Sequence, residues 1–528
     1  MRRLLLACLL LAPGCTLGPN FSSLVPDLPE SWTGASATAS FARSQPTPGP
    51  VDPQWWSVFG DPVLTSLAER VARDNLDVRV AALRLDESRA QRGVASSALF
   101  PTASSNASYT REQSSEKGVT SLFSGTGGSA ATQSNGLGGR QGSTPSQGAS
   151  KATKPFDIFQ YGADASWELD LWGRVRRSLE SADAAVTVSA ETQRDVLVSI
   201  VAELARDYVN LRGVQDSLGI TRENLDTARE TVRLTRLRSQ GGLATDLEIA
   251  STEAQVAETE AELPPLEQQE AALINAIGFL LGQPPGSLAE LRVAQKPPLA
   301  PVHVPVGLPS ELARRRPDIR QADARLHGAT ADIGTATADF YPRVTLSGSF
   351  AFQALQFRDL GDFASRTYGF GPSVSVPIFD GGKLRSTLQL RQLQQKEAAI
   401  NFQRVVLQAW REIDDAMQSY DAEQRRAASI ATQVASSRRA LGLARARYTQ
   451  GLSDYLQVLI AQRNLLVAQA NLARSLAITN ANLVSLYRAL GGGWEQALSV
   501  ERKQPLPFRE PMPHQDPLPG DSFSLPIN

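Results

Sequence analysis

The sequence predicts a mixed α and β membrane protein: each chain gives four strands to a shared antiparallel β-barrel, carried on long coiled-coil helices, and the plan occurs twice along the chain. Three observations predict it. Four stretches of about ten residues alternate apolar and polar side chains, two proline-free stretches of about 67 residues have helical periodicity, and the second half is a diverged copy of the first.

The chain has 528 residues and a net charge of -1, so no basic surface points to nucleic acid. Its opening, "MRRLLLACLLLAPGC", has two arginines, an apolar run and small residues before Cys15. Residues 1–14 therefore read as a secretory signal, too short to span a bilayer. Cys8 and Cys15 are the only cysteines, so cleavage before Cys15 leaves one thiol and no internal disulfide. "LAPGC" resembles the lipobox of bacterial lipoproteins, which implies a covalent lipid on Cys15; a plainly cleaved signal is the alternative. Each buried CH₂ of such a lipid contributes roughly 0.8 kcal/mol to anchoring. Thr16 follows the cysteine where an Asp would resemble an inner-membrane retention signal, which favours the outer membrane. Residues 15–61 are read as the lipid-anchored N-terminal segment. The most apolar later run, "ALINAIGFLLG" (272–282), is about half the ~20 residues a membrane helix needs. Any crossing must use strands.

The strands come in order. "TASSNASYT" (102–110) is the weakest and is identified mainly by the repeat. "QYGADASWELDLWGR" (160–174) puts Tyr161, Ala163, Ala165, Trp167, Leu169 and Leu171 on one face. Gly162, Asp164, Ser166, Glu168 and Asp170 fall on the other, with the last two carboxylates expected in a watery lumen and Trp167 and Trp172 expected as interfacial anchors. "RVTLSGSFAF" (343–352) sets Val344, Leu346, Phe350 and Phe352 opposite Thr345, Ser347 and Ser349. "TYGFGPSVSVPIF" (367–379) sets Tyr368, Phe370, Val374, Val376 and Ile378 opposite glycines and serines. Each is long enough to cross a membrane when tilted. Four strands do not close a barrel, and an open edge in hydrocarbon leaves backbone groups unpaired. Two copies would make about eight strands with a filled interior, and three would make about twelve with a lumen; three are favoured.

The repeat is explicit. Leu234 falls on Leu443, Arg238 on Arg447, Gly242-Leu243 on Gly451-Leu452 and Leu247 on Leu456, an offset of 209. Earlier in each half the offset is 241, with Asp77 on Asp318, Gly93 on Gly334 and Pro101 on Pro342. The difference of 32 residues falls in the Gly/Ser/Thr/Gln-rich stretch 115–154, which reads as a flexible loop. Each half is expected to run helix, strand, connection, strand, glycine corner and then a very long helix that turns at "GGL" or "QGL" and returns through a second long helix. At roughly 1.5 Å per residue the 67-residue helices reach on the order of 100 Å. Residues 62–300 form the first repeat, 301–494 the second, and 495–528 a Pro-rich tail.

Taken together, "CTLGPNF" (15–21), "WWSVFGDPVLTSL" (55–67), "ASWELDLWGRVRRS" (165–178), "LPSELARRRPDIRQADARL" (308–326), "ADFYPRVTLSGSF" (338–350), "VPIFDGGKLRS" (376–386) and "RYTQGLSDYLQVLIAQRNLL" (447–466) resemble the TolC-like outer-membrane efflux factors, in the lipoprotein branch paired with resistance-nodulation-division pumps. The resemblance covers residues 15 to about 494. It implies a homotrimer, a twelve-stranded pore in the outer membrane on a periplasmic α-helical tunnel, and a passive exit duct fed by an inner-membrane pump through a periplasmic adaptor.

It also implies where the tips are. Arg238, Gly242, Leu243, Arg447, Gly451 and Leu452 would meet the adaptor; the plainer reading is that each Gly-Leu is only a helical corner. Family members often carry an acid nine residues after the second glycine, a position held here by Ile460, with Leu456 one turn earlier. An apolar constriction that excludes water by dewetting is expected in its place, against the reading that both residues pack on the coiled-coil seam; whether the gate is apolar or electrostatic stays open. Tyr448 and Glu248 occupy positions that the resemblance joins by a hydrogen bond latching the coils shut.

Catalysis is not expected. The three histidines are scattered and without a nearby cysteine, no phosphate loop has the required spacing, and no serine sits in a nucleophile elbow. No cofactor is expected beyond the lipid. The alternative from another class is a lipoprotein that serves as a periplasmic spacer, which needs no polar strand faces. The exported compound is not written in the sequence.

Overall fold

The computed structural model describes residues 15–23, 45–47, 49, 51–113, 155–242, 244–298, 301, 303–306 and 315–495. The signal 1–14, the loop 115–154, Leu243 and the tail beyond 495 lie outside these.

The elements named below follow chain order: β1 (Gln45–Thr47), α1 (Pro62–Asp74), α2 (Leu76–Ser97), β2 (Thr102–Glu112), β3 (Phe156–Leu169), α3 (Arg174–Gln240), α4 (Asp246–Ala261), α5 (Leu263–Leu280), β4 (His303–Pro305), α6 (Pro317–Ala338), β5 (Arg343–Ala354), β6 (Arg366–Ser375), α7 (Lys383–Thr449) and α8 (Tyr455–Ala489). The helix ends reproduce the sequence repeat. α2 and α6 both have 22 residues and are 241 apart at both ends, and α3 and α7 both have 67 and are 209 apart. One expectation is corrected: the first return leg is not one helix. It is interrupted at Glu262, because Pro264 and Pro265 cannot donate to a continuing helical ladder and are tolerated only in a first turn. The second return leg, without proline, is one 35-residue helix.

The chain divides into two compact units. The first takes Met1–Leu24, Glu87–Thr187 and Asp323–Ile400 and holds a four-stranded antiparallel sheet in the order β2-β3-β5-β6. One face carries the rows Ala107, Tyr161, Phe352, Arg366 and Ser105, Ala163, Phe350, Tyr368, apolar but for Arg366 and Ser105 at its ends; the other carries Ser104, Asp164, Ser349, Gly369 and Thr102, Ser166, Ser347, Gly371. The alternation read from sequence is thus a real two-faced sheet, with Phe350, Tyr368 and Phe370 largely exposed. Two strand ends fall short of expectation. β3 stops at Leu169, so Leu171 is on no strand, and β6 stops at Ser375, before Val376 and Ile378. Pro377 lacks the N–H a ladder would need.

Glu168 and Asp170, expected in a watery lumen, have partners at the corner. Arg174 donates to both oxygens of Glu168, at 2.8 and 2.7 Å. Asp170 accepts from the backbone N–H of Val175 and Arg176, at 3.1 and 2.9 Å. Asp170 starts the helix, satisfying N–H groups that have no partner inside it, while Glu168 holds the side chain of its first residue. Trp167 and Trp172 donate their indole N–H to the carbonyls of Leu99 and Pro342, at 2.9 and 2.8 Å. Asp380 does the capping job for α7, accepting from Gly382 and Leu384 N–H.

Residues 15–23 lie against this corner. Arg177 donates to the Leu17 carbonyl (3.1 Å), Asn20 Oδ1 (2.7 Å) and Glu180 (2.7 Å), while Leu17 N–H donates to the Trp172 carbonyl at 3.1 Å. Phe21 stacks on His327 with centroids 4.4 Å apart. Gly18 (φ 90°) lies so close to Gly334 that a Cβ on it would come within 2.5 Å of the Gly334 Cα. Only glycine fits there.

The second unit takes Val25–Asp86, Val188–Ala322 and Asn401–Asn528. β1 pairs in parallel with β4. Its core joins Trp55, Leu64, Leu204, Tyr208, Leu211, Ile277, Ile413, Leu483 and Tyr487, with Trp55 and Tyr487 stacked at 5.3 Å. Asp61 caps α1 through Val63 N–H at 2.8 Å and also accepts the Tyr208 hydroxyl at 2.5 Å. Arg316, almost fully buried, holds Asp318 (2.7 Å), Glu412 (2.8 Å) and the Ala489 carbonyl (2.7 Å). Carboxylates on two helices raise its already high pKa against the cost of burial.

Two outcomes follow. Gly18→Ala is expected to free residues 15–23, read as new protease cleavage there while the folded body resists; an unchanged digestion pattern counts against the close fit. Arg316→Ala strands two acids beside a buried carbonyl and is expected to cost about 3–5 kcal/mol, read as a lowered midpoint of denaturant unfolding in detergent.

Candidate functional site

The tips are built by glycine. At the second corner Gly451 (φ 73°) ends α7, with Gly451 N–H donating to the Tyr448 carbonyl at 3.0 Å and Leu452 N–H to the Arg447 carbonyl at 2.9 Å. Both carbonyls are helix-end acceptors, and a left-handed residue is what lets the chain fold back onto them. At the first corner Gly242 (φ 72°) plays the same part, with its N–H on the Ser239 carbonyl at 2.9 Å. Gly242, Arg447, Gly451 and Leu452 are exposed, and Arg238 is half-buried; Leu243 lies outside the described residues. Arg238 and Arg447 sit in the last turns of their helices, where a cation also complements the helix dipole.

The seam of the α7–α8 hairpin is Val434, Leu441, Tyr455, Val458, Leu465 and Ala468. Leu456 and Ile460 are off it, 58% and 45% exposed, one turn apart on α8. They do not pack inside their own hairpin.

Tyr448 and Glu248 are not joined as expected. The Glu248 carboxylate accepts from its own helix start, Thr245 N–H at 2.8 Å, while Thr245 Oγ1 accepts from Glu248 N–H at 3.3 Å. That reciprocal capping box uses the acid locally. No Tyr448–Glu248 hydrogen bond occurs among the described residues. Tyr448 instead places its ring against the Arg238 guanidinium, 4.5 Å from the ring centroid, and against Tyr455 at 4.9 Å. Burial pushes the Tyr448 phenol up, with Arg238 opposing and Glu248 adding.

Cys15 is an exposed, free thiol at the start of the segment held by Arg177. Sequence reasoning missed that holding arginine and the partners of the two acids at the corner. Their signal was "WELDLWGRVRR": acids six and four residues ahead of the helix start at Arg174.

The sheet is the other half of the site. β2 and β6 are its edges, and no described strand covers either. Among the described residues no helix is long and apolar enough to cross a membrane.

Comparison with known proteins agrees with this geometry. The outer membrane efflux protein family matches residues 67–283 and 308–492. The pyoverdine export outer membrane protein OpmQ of Pseudomonas aeruginosa is 32% identical over 93% of this chain and 96% of its own. The outer membrane protein OprJ of the same species is 29% identical over 92% and 94%. Among solved structures, the outer-membrane channel OprN superposes with a TM-score of 0.78 at 34% identity, covering 91% of this chain and all of that one. The open state of the Neisseria gonorrhoeae MtrE outer membrane channel gives 0.71 at 25% identity, covering 91% and 99%. A two-faced sheet with open edges, hairpins duplicated at fixed offsets and relatives matched along nearly their whole length have one reading: the chain belongs to the outer membrane efflux protein family and is the outer-membrane channel of an efflux system.

Proposed function

We propose that three copies of this chain close into one pore and serve as the passive exit duct of a tripartite system. An inner-membrane pump of the resistance-nodulation-division type loads the duct through a periplasmic adaptor, and a lipid on Cys15 anchors each copy. The observation that carries this is the sheet: one apolar face, one polar face and two uncovered edges. The duplication supplies the way the edges meet. β2 corresponds to β5 and β3 to β6, so the β3–β5 pairing inside the chain has its counterpart in β6 against β2 of a neighbouring copy.

The adaptor would dock on the exposed corners at Gly242, Arg447, Gly451 and Leu452, with Leu243 and Arg238 beside them. The exposure of Leu456 and Ile460 supports an apolar gate formed where copies of α8 meet, closed to ions by dewetting.

Purified protein in planar bilayers tests the reading. The parent is expected to conduct weakly at rest, and Leu456→Ser with Ile460→Ser to conduct several-fold more. Equal conductance would sink the gate, and no conductance in either would favour a spacer. For the anchor, cells fed labelled palmitate are expected to mark the parent chain and not Cys15→Ser; label in both would reject Cys15 as the acceptor.

A further inference from the structure

The apolar face of the sheet is not level. The row Ala103, Ala165, Gly348, Phe370 sets three small residues beside one large ring, and Phe350 and Tyr368 stand in the next row. The small residues floor a trough of about 550 Å³ that Phe350, Tyr368 and Phe370 wall. Phe370 is 86% exposed, so its wall is open to whatever lies outside the sheet.

One end of the trough carries a charge. Arg366 opens β6 on the apolar face, opposite Phe352 and two residues before Tyr368, and lines the same trough. Phe363, in the β5–β6 connection, steadies it. The guanidinium carbon lies 3.7 Å from that ring's centroid, and Arg366 Nη1 donates to the Phe363 carbonyl at 2.7 Å. A guanidinium has five N–H donors, and no carboxylate pairs with this one among the described residues. Other arginines at this end differ, since Arg111 faces Asp157 at 3.8 Å and Arg358 faces Asp359 at 3.5 Å. A cation on a face turned to hydrocarbon costs free energy unless it reaches water or an anion at the membrane surface.

Its place along the strand suits that surface. The β5–β6 connection is at one end of the sheet, and α2, α3, α6 and α7 join the other end. From Arg366 to Phe370 the strand advances roughly 13 Å, at about 3.3 Å per residue, from the rim into the apolar band. A charged head with an apolar trough below it is the complement of a lipid. A solute in transit would meet the polar face, not this one. A neighbouring copy that pairs with β2 or β6 uses their backbone edges and leaves the face open.

We infer that the trough binds one phosphate-bearing membrane lipid per chain. Arg366, held on Phe363, takes the phosphate, whose oxygens match the fork of a guanidinium, and an acyl chain lies over Ala103, Ala165 and Gly348. The inference rests on the reading of the sheet as the wall of a membrane pore.

The test is native mass spectrometry of the full-length protein released from micelles that hold equal amounts of phosphatidylglycerol and phosphatidylcholine with the same acyl chains. Planar-bilayer conductance is recorded on the same preparations. The parent is expected to retain phosphatidylglycerol about fivefold over phosphatidylcholine. Arg366→Gln is expected to lose that preference and Arg358→Gln to keep it. Ala165→Leu, at an exposed position, fills the floor and is expected to cut retention of both lipids while conductance stays as in the parent. If Arg366→Gln keeps the preference, or Arg358→Gln loses as much of it, diffuse charge selects the lipid and the site is overturned. Full retention of both lipids by Ala165→Leu overturns it too, since the acyl chain then lies elsewhere. If inorganic phosphate in large excess abolishes the preference, the arginine takes the free ion and the lipid site is rejected. A parent that conducts but holds neither lipid overturns the site and leaves the pore standing. One that neither conducts nor holds lipid brings down the pore reading and the site with it.

Discussion

A strand edge in hydrocarbon has no water to bond with, and that constraint governs the rest of this molecule. β2 and β6 each turn about half of their N–H and C=O groups away from their only partner. Each group left unpaired in lipid costs several kcal/mol, so either edge alone would outweigh the ~5–15 kcal/mol that keeps a typical domain folded. The sheet cannot be a membrane element of one isolated chain. Its register makes the same point by another route. An apolar face of Tyr161, Phe350, Phe352 and Tyr368 needs lipid, and a face of Ser104, Asp164, Ser166 and Ser349 needs water, so the sheet must curve round a wet interior.

A strand that leaves a membrane sheet for a 67-residue helix must change hydrogen-bond partners within a few residues. The chain spends charge there. Asp170 receives the first free N–H groups of α3, Glu168 holds Arg174, and Gly173 (φ 80°) makes the bend. The second copy solves the same problem with Asp380, one position later in register, so the chemistry persisted while the residue moved. The corner also receives the N-terminal segment through Arg177 and the Gly18–Gly334 approach, making residues 15–23 part of the folded surface beside Cys15.

How much was legible in the sequence depends on the range of the interaction. The helix limits were written in the repeat: offsets of 209 and 241 read from scattered identities return as the ends of α3 and α7 and of α2 and α6. Alternation gave the strand faces, because period two is a local property. The strand ends were not legible, since an apolar Leu171 or Ile378 continues the rhythm after the ladder has stopped. Nor were the partners of Glu168, Asp170 and Glu248. A carboxylate on a wet strand and one that caps a helix look alike until the backbone places N–H groups beside it. The break at Glu262 was legible in Pro264-Pro265 but was outweighed by the continuous second copy. At the tip, family pattern put Tyr448 opposite Glu248, whereas Thr245 at the helix start claimed the acid and left the ring to Arg238.

Divergence between the copies gave the hairpins different mechanics. The first is laced across its outside by Arg236–Glu253, Arg229–Glu260 and Arg222–Glu267. The second closes over Val434, Leu441, Tyr455, Val458, Leu465 and Ala468. Exposed ion pairs contribute at most about 1 kcal/mol each and fade with salt, whereas a fully buried large apolar side chain contributes about 1.5–3 kcal/mol. The two hairpins therefore differ in what joins their legs: an apolar cluster in the second, and exposed ion pairs across a return leg interrupted at Glu262 in the first. At the tip the two meet where the Arg238 guanidinium of the first lies against the Tyr448 ring of the second.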